Sequence, residues 1–307
     1  GDNLYPRGLP APGAAGRGQS ERRLDAQVDI VRSKGARGIF VPGNHDWDQE
    51  NRDGWDAVKR QGDYVVSRGA PLVDFLPRHG CPGPEVVDSG PHARLVVLDT
   101  QWWLHQGPKP ADPTSECVAD SESEVLAALR RSLESAGERQ VVVAAHHPLA
   151  TGGPHGGYFS WRQHVFPLTD ANKALWIPLP LVGSLYPLLR QGGVSTQDLA
   201  SETNRRMREA LGGVFRDHPP LVYAAGHDHT LQVLEGQSAR TLLVSGAGVL
   251  GHTSPVRRIE GSRFASSDAG FMRLDVERSG RVRLAVLSVN KEGRTREVHS
   301  EWLAGGP

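Results

Sequence analysis

Short apolar runs recur along the chain, separated by stretches in which hydrophobic residues fall three and four positions apart. The runs Gly38 to Val41, Leu95 to Leu98, Val141 to Ala145, Leu221 to Ala225 and Leu242 to Val244 have the length and composition of buried strands. Gly270 to Val276 and Val282 to Val289 alternate apolar and polar residues instead, as half-buried C-terminal strands do. Three segments predict helices. One carries Leu24, Val28 and Val31 after Ser20; a second carries Val125, Leu129 and Leu133 behind a Ser121-to-Glu124 capping box; a third carries Leu199, Thr203, Met207, Ala210 and Val214. Helices alternating with buried strands predict an α/β architecture. With no dividing linker in sight, one domain over residues 1–307 is expected.

One segment breaks the pattern. Residues 174–189 (ALWIPLPLVGSLYPLL), inside a possible lid insertion at 172–195, are nearly all apolar, yet too short and too proline-rich to span a bilayer as a helix. Three readings stay open: a loop packed on the body of the domain, a flap over a site, or a surface in peripheral contact with a membrane.

Composition narrows the field only slightly. The 36 glycines and 22 prolines imply long structured loops, and 35 basic against 35 acidic residues leave no global field for nucleic acid or an acidic membrane. No nucleic-acid partner is expected, and affinity for a phosphorylated ligand has to be local. The two cysteines, Cys81 and Cys117, both lie in loop-like surroundings. They are either unrelated thiols or a single disulfide tying two loops, and the setting favours the disulfide and with it an extracytoplasmic (periplasmic or secreted) home. No charged n-region and apolar h-region of a signal peptide is visible at Gly1.

Four motifs hold the candidate chemistry: Gly1-Asp2-Asn3-Leu4-Tyr5; Gly43-Asn44-His45-Asp46 after Ile39-Phe40-Val41; His146-His147-Pro148 closing the run from Val141; and Gly226-His227-Asp228-His229 closing the run from Val222. Loops at the carboxyl ends of strands gather around one crevice in an open α/β sheet, so distance along the chain is no obstacle. Asp, Asn and His offer oxygen and imidazole nitrogen, a donor set for iron, zinc or manganese, with no thiolate nearby to favour a closed structural zinc site. His227 and His229, two apart, point to one side of an extended segment while Asp228 points away. Each motif alone is weak or moderate, since Gly-Asp, Asn and His also populate ordinary turns; the ordered set is specific.

In these four motifs the chain resembles the calcineurin-like metallophosphoesterases, and among them the small, tartrate-resistant type of purple acid phosphatase. The resemblance implies a β-sandwich flanked by helices (αββα) and a pair of metal ions, iron with zinc, manganese or a second iron. It implies that Asp2 bridges the metals, that Tyr5 and His229 hold the first, and that Asn44, His146 and His227 hold the second. His45 would hydrogen-bond the phosphoryl group or assist the leaving group, with Asp46 orienting it, and His155 would be a second proton donor. His147 would lie near the substrate or behind the ligands. The remaining histidines match no motif and are assigned to surface or core. Family members also carry an Asp-x-His or Asp-x-Gly strand about thirty residues before the Gly-Asp motif, so the expectation is a domain incomplete at its first strand, with one carboxylate of the first metal site missing and the second site complete. The implied activity is metal-assisted hydrolysis of phosphate monoesters on a small-molecule or lipid substrate. The rivals are a phosphodiesterase on lipids or nucleotides, and a relative that binds phosphate or metal without turnover.

Overall fold

The computed structural model of the protein describes residues 1–111, 115–171, 175–179, 182–249 and 251–305. The elements run α1 (Arg17–Ser33), β1 (Gly38–Phe40), α2 (Gly54–Gly69), β2 (Val73–Phe75), β3 (Glu85–Ser89), β4 (Ala93–Val97), α3 (Gln101–Leu104), α4 (Glu122–Glu134) and β5 (Gln140–Ala144). The short helices α5 (Trp161–Val165), α6 (Leu168–Ala171) and α7 (Leu185–Gln191) follow, then α8 (Glu202–Asp217) and β6 (Val222–Ala225). The chain closes with β7 (Leu231–Glu235), β8 (Thr241–Ser245), β9 (Ser262–Ser266), β10 (Gly270–Val276), β11 (Val282–Val289) and β12 (Thr295–Ala304). The architecture is mixed α/β, a central mixed sheet flanked by helices.

That sheet has seven strands in the order β3-β4-β5-β6-β8-β7-β9, and its β4, β5, β6 and β8 run parallel. Its apolar runs are continuous because both faces are covered, and successive residues serve different layers. Val141, Val143, Tyr223 and Leu242 turn toward the core shared with α1, α2, α4 and α8, where Leu24, Val28, Val58, Val65, Leu129, Met207 and Phe215 are buried. Val142, Val222, Ala224 and Leu243 turn the other way, onto Val282, Leu284 and Val286 of β11 in a three-stranded antiparallel sheet, β10-β11-β12. The two sheets form a sandwich, with the alternation of β11 explained by one covered face. β1 and β2 pair in parallel with each other.

The expected capping box of α4 is present, Ser121 accepting from the Glu124 amide while the Glu124 side chain accepts in return. Leu199, read as part of the third helix, lies before α8, because Ser201 caps that helix by accepting from the Asn204 amide. Cys81 and Cys117 are joined in a disulfide with their Cα atoms 5.6 Å apart. No helix among the described residues is long and apolar enough to cross a membrane. Part of the 172–195 segment, 172–174 and 180–181, lies outside the described residues; the rest contributes α7, which abuts α5.

Candidate metal centre

β5 and β6 are parallel neighbours in register, Ala144 opposite Ala224, so the residues just beyond their carboxyl ends meet. The pairing continues one step further, the Gly226 amide donating to the His146 carbonyl at 3.0 Å. There the chain turns sharply: His227 takes a left-handed φ of 63° and Asp2 one of 58°, conformations that cost a non-glycine residue about 1–3 kcal/mol and persist where surrounding contacts impose them. Glycines supply the space. A Cβ on Gly43 would stand 2.4 Å from Asp2 Oδ1 and 2.8 Å from the His146 ring, and one on Gly1 would stand 2.3 Å from His146 Nδ1.

Around His146 Nε2 lie Asn44 Oδ1 at 3.0 Å, His227 Nδ1 at 3.1 Å and Asp2 Oδ2 at 3.3 Å. His227 donates its other nitrogen, Nε2, to the Gln197 carbonyl (3.1 Å), which fixes its Nδ1 as a lone pair. Asp2 and Asn44 present acceptor oxygens. Four electron-rich atoms thus converge with at most one proton, on His146 Nε2, to share among them. Ligand atoms placed 2.0–2.1 Å from a tetrahedral zinc are separated by about 3.4 Å, close to the spacing here. The residues fit a cation. His146, His227 and Asn44 are nearly inaccessible to solvent. Burial pushes both imidazoles below their ordinary value, His227 well below, which keeps them neutral and able to donate lone pairs.

Asp2 extends the cluster. Its Oδ2 also accepts from the Tyr5 hydroxyl (3.1 Å), which lies 3.0 Å from His229 Nε2, while its Oδ1 accepts from the His45 amide (3.0 Å). One carboxylate therefore touches both sets of side chains, Tyr5 with His229 and Asn44 with His146 and His227. Burial opposes its charge, yet His146 and His45 hold it far below the usual carboxylate range. Burial and the adjacent Asp2 push the Tyr5 phenol upward, and burial together with His252 holds His229 down to about 4. The cleft between these groups has a volume of about 290 Å³ and is floored by Ala224, Ala225 and Gly246.

Other expected site residues occupy different places. Asp46 does not orient His45. It is fully buried and accepts from Asn3, Leu4, Gly43 and Gln61, binding the Gly-Asp loop to the Asn-His-Asp loop. His45 instead donates Nδ1–H to the Pro6 carbonyl (2.5 Å), with its ring against Tyr5 at 4.3 Å. His147 falls within 4.8 Å of the His146 and His227 ligand atoms. Both its nitrogens are engaged, by Thr100 Oγ1 and Gln197 Oε1 at 2.8 Å each, so it supports the centre from behind. Asp228 points away, accepting from Thr151 Oγ1 and from the His155 amide. His155 stacks on His227 with ring centroids 3.7 Å apart and places Nδ1 2.9 Å from Asp198, whose other oxygen accepts from Arg190 Nε at 2.8 Å.

Three participants had no motif. His252, assigned from sequence to surface or core, stands 4.4 Å from the His229 ring and 5.3 Å from that of Tyr5. Its one signal was position, in a glycine-rich loop following the β8 run. Asp198 and Arg190 carried none. With Tyr186, His155, His227 and His229 they bound or back a second pocket of about 230 Å³ that opens onto the centre.

No protein-family model matches the chain, and no curated protein matches it in sequence. Solved structures of similar shape include GAP50, the anchor in the inner membrane complex of Plasmodium (14% identity, 91% of this chain and 82% of that one, TM-score 0.46). A purple acid phosphatase from yellow lupin seeds matches at 10% identity over 92% of this chain and 48% of its own, TM-score 0.45. A dimetal phosphatase from Danio rerio matches at 12% identity over 92% and 88%, TM-score 0.43. At such identities and scores the likeness carries no functional argument, which falls to the atoms of the site.

Proposed function

We propose that the protein is a metal-dependent phosphoesterase of the calcineurin-like, purple-acid-phosphatase type, acting on phosphate monoesters with two metal ions in an extracytoplasmic setting. The observation that carries this reading is the convergence of Asp2 Oδ2, Asn44 Oδ1 and His227 Nδ1 on His146 Nε2, all within 3.3 Å. Asn44, His146 and His227 would hold one ion, Tyr5 and His229 the other, with Asp2 between them. Bound cations supply Lewis acidity toward phosphoryl oxygens and an activated water.

The chain's own residues do the rest. Phosphoryl transfer asks a protein mainly for positioning and electrostatics. The glycines at 1 and 43 let backbone approach the reacting centre, and Asp46 locks the two loops that carry Asp2 and Asn44. His45, with Nδ1 engaged by Pro6, has Nε2 left to share a proton with the departing oxygen. His155, stacked on His227 and backed by Asp198, is placed for the same task from the opposite wall.

Metal analysis of the purified chain together with p-nitrophenyl phosphate and bis-p-nitrophenyl phosphate assays tests the reading. Metal uptake with faster monoester turnover supports it. Preference for the diester moves it to phosphodiesterase, and metal without turnover of either leaves a binding module.

A further inference from the structure

The segment around α5 and α7 exposes an unusual amount of large apolar surface. Trp161, Trp176 and Leu188 are 65%, 56% and 57% exposed, and Ile177, Leu185 and Leu189 stand out beside them. Scattered exposed leucines need no explanation, but a contiguous group on one segment marks an interaction surface. The segment is not loosely attached. The Leu179 amide donates to the Val165 carbonyl at 2.7 Å, and Phe166 packs on Trp176 and Phe159 on Tyr186. The apolar side chains face outward from a structure that is otherwise tied down.

Two further observations say what covers them. The first is charge. From His155 to Thr196 the sequence holds one acid, Asp170, against Arg162, Lys173 and Arg190, of which Arg190 is paired with Asp198 just beyond. Arg162 and Arg257 are exposed, in no ion pair among the described residues, and lie over the rings of Trp161 and Tyr158. Arg257 also lines a cleft with Phe159 and Gln191, so it belongs to the same face. Tryptophans beside arginines on an apolar surface suit the headgroup region of an anionic bilayer. A second copy docked symmetrically would bring two copies of the same basic patch into one interface. The second observation is position. α7 bears the exposed Leu185, Leu188 and Leu189, and the same helix lends Tyr186 and Arg190 to the pocket that opens on His155, His227 and His229.

We infer that this face docks on an anionic lipid bilayer, so that the pocket receives a phosphate ester carried by a membrane lipid. The delivery rests on the phosphoesterase reading; the docking does not. The test is flotation of the full chain with vesicles of phosphatidylcholine alone or mixed with phosphatidylglycerol. Wild type is expected to float with the mixed vesicles. Trp161→Glu with Leu188→Glu should abolish flotation, while Arg162→Glu with Arg257→Glu should weaken it at least tenfold on mixed vesicles, since each basic residue near such a surface counts for roughly fivefold. Circular dichroism and the thermal midpoint show that the variants fold. The Trp161/Leu188 variant should also keep its rate on soluble p-nitrophenyl phosphate while losing phosphate release from vesicle-borne phosphatidic acid. Failure of wild type to float overturns the docking, as does a concentration-dependent mass in solution that the Leu188→Glu change abolishes, which would make a second copy the occupant. Flotation without turnover of either ester leaves the docking standing and overturns the delivery together with the phosphoesterase reading.

Discussion

His146 Nε2 lies 3.1 Å from His227 Nδ1, although His227 has its only neutral-form proton committed on the far side of its ring to the Gln197 carbonyl. Two imidazoles facing each other in this way need a shared proton or a cation between them. With Asn44 and Asp2 adding oxygen lone pairs at 3.0 and 3.3 Å from the same atom, a cation satisfies all four and a proton satisfies two at most.

His227→Ala is therefore expected to lose metal and turnover together, whereas His45→Ala loses most turnover and keeps its metal. Catalytic proton transfer contributes roughly 10²–10⁴-fold, which sets the scale for the second variant. Metal analysis of both proteins after zinc or manganese loading separates the roles, and equal depletion would put His45 among the ligands. Zinc at about a hundred times its dissociation constant should raise wild-type stability by about 2.7 kcal/mol, with no comparable gain for His227→Ala.

Gly43→Ala makes the same point through backbone space. The new methyl would meet Asp2 Oδ1 at 2.4 Å and the Asp2 backbone nitrogen at 2.5 Å. Asp2 and His146 have to move apart to admit it, so metal affinity should fall although no ligand has been removed. Gly248→Ala, at a glycine with nothing within 4 Å of its added methyl, is the matched control and should bind metal as wild type does.

Much of this was legible in the chain, for identifiable reasons. The strands found by pattern were those buried on both faces or cleanly alternating, such as Val141 to Ala145 and Val282 to Val289. β12 (TREVHSEWLA) escaped because its polar residues follow no clean period, and α2 because it opens on glycine and carries Gly62 within it. Ligand-type residues were legible because glycine and strand ends frame them. Asp46 was misread because a carboxylate beside a histidine suggests an ion pair, whereas five donors, from Asn3 and Leu4, from Gln61 and from Gly43 of its own loop, claim it. Arg190 follows directly on the apolar run and Asp198 sits in the polar loop before α8, neither beside a glycine-framed ligand motif, so nothing local announced them.

Asp99, which is not a candidate ligand, offers a pH test. It is fully buried, accepts from Trp47 Nε1 (2.8 Å) and the Gln101 amide (3.0 Å), and burial outweighs these bonds to raise it to about 7. A raised carboxyl stabilises the fold fully below its unfolded value near 3.9 and loses that contribution as pH climbs through 7. The loss amounts to roughly 4 kcal/mol over the window. Asp99→Asn does not titrate and costs about 1–3 kcal/mol at every pH by mismatching one donor. Urea unfolding from pH 4 to 8 should therefore show the variant gaining on wild type as pH rises; parallel curves would mean Asp99 is already ionised at pH 5.

The Asp198–His155 pair decides whether the second wall of the site takes part in the reaction. Asp198 is 2% exposed and binds His155 Nδ1 on one oxygen while Arg190 holds both. That arrangement fixes the imidazole against His227 and sets which nitrogen faces the pocket. Asp198→Asn keeps the shape but removes the charge that holds the Nδ1 proton, and it leaves Arg190 without its counter-ion. Because neither residue is a candidate ligand, metal content should stay at the wild-type value. The expected change is a kcat at least about tenfold lower with KM nearly unchanged, as for a group that acts on the leaving oxygen rather than on ground-state binding. Arg190→Ala should resemble it in direction and also lower stability, since it strands a buried carboxylate. A purely structural pair would give reduced stability with unchanged kcat per folded molecule, and that result would remove His155 from the reaction and leave His45 as the sole proton donor.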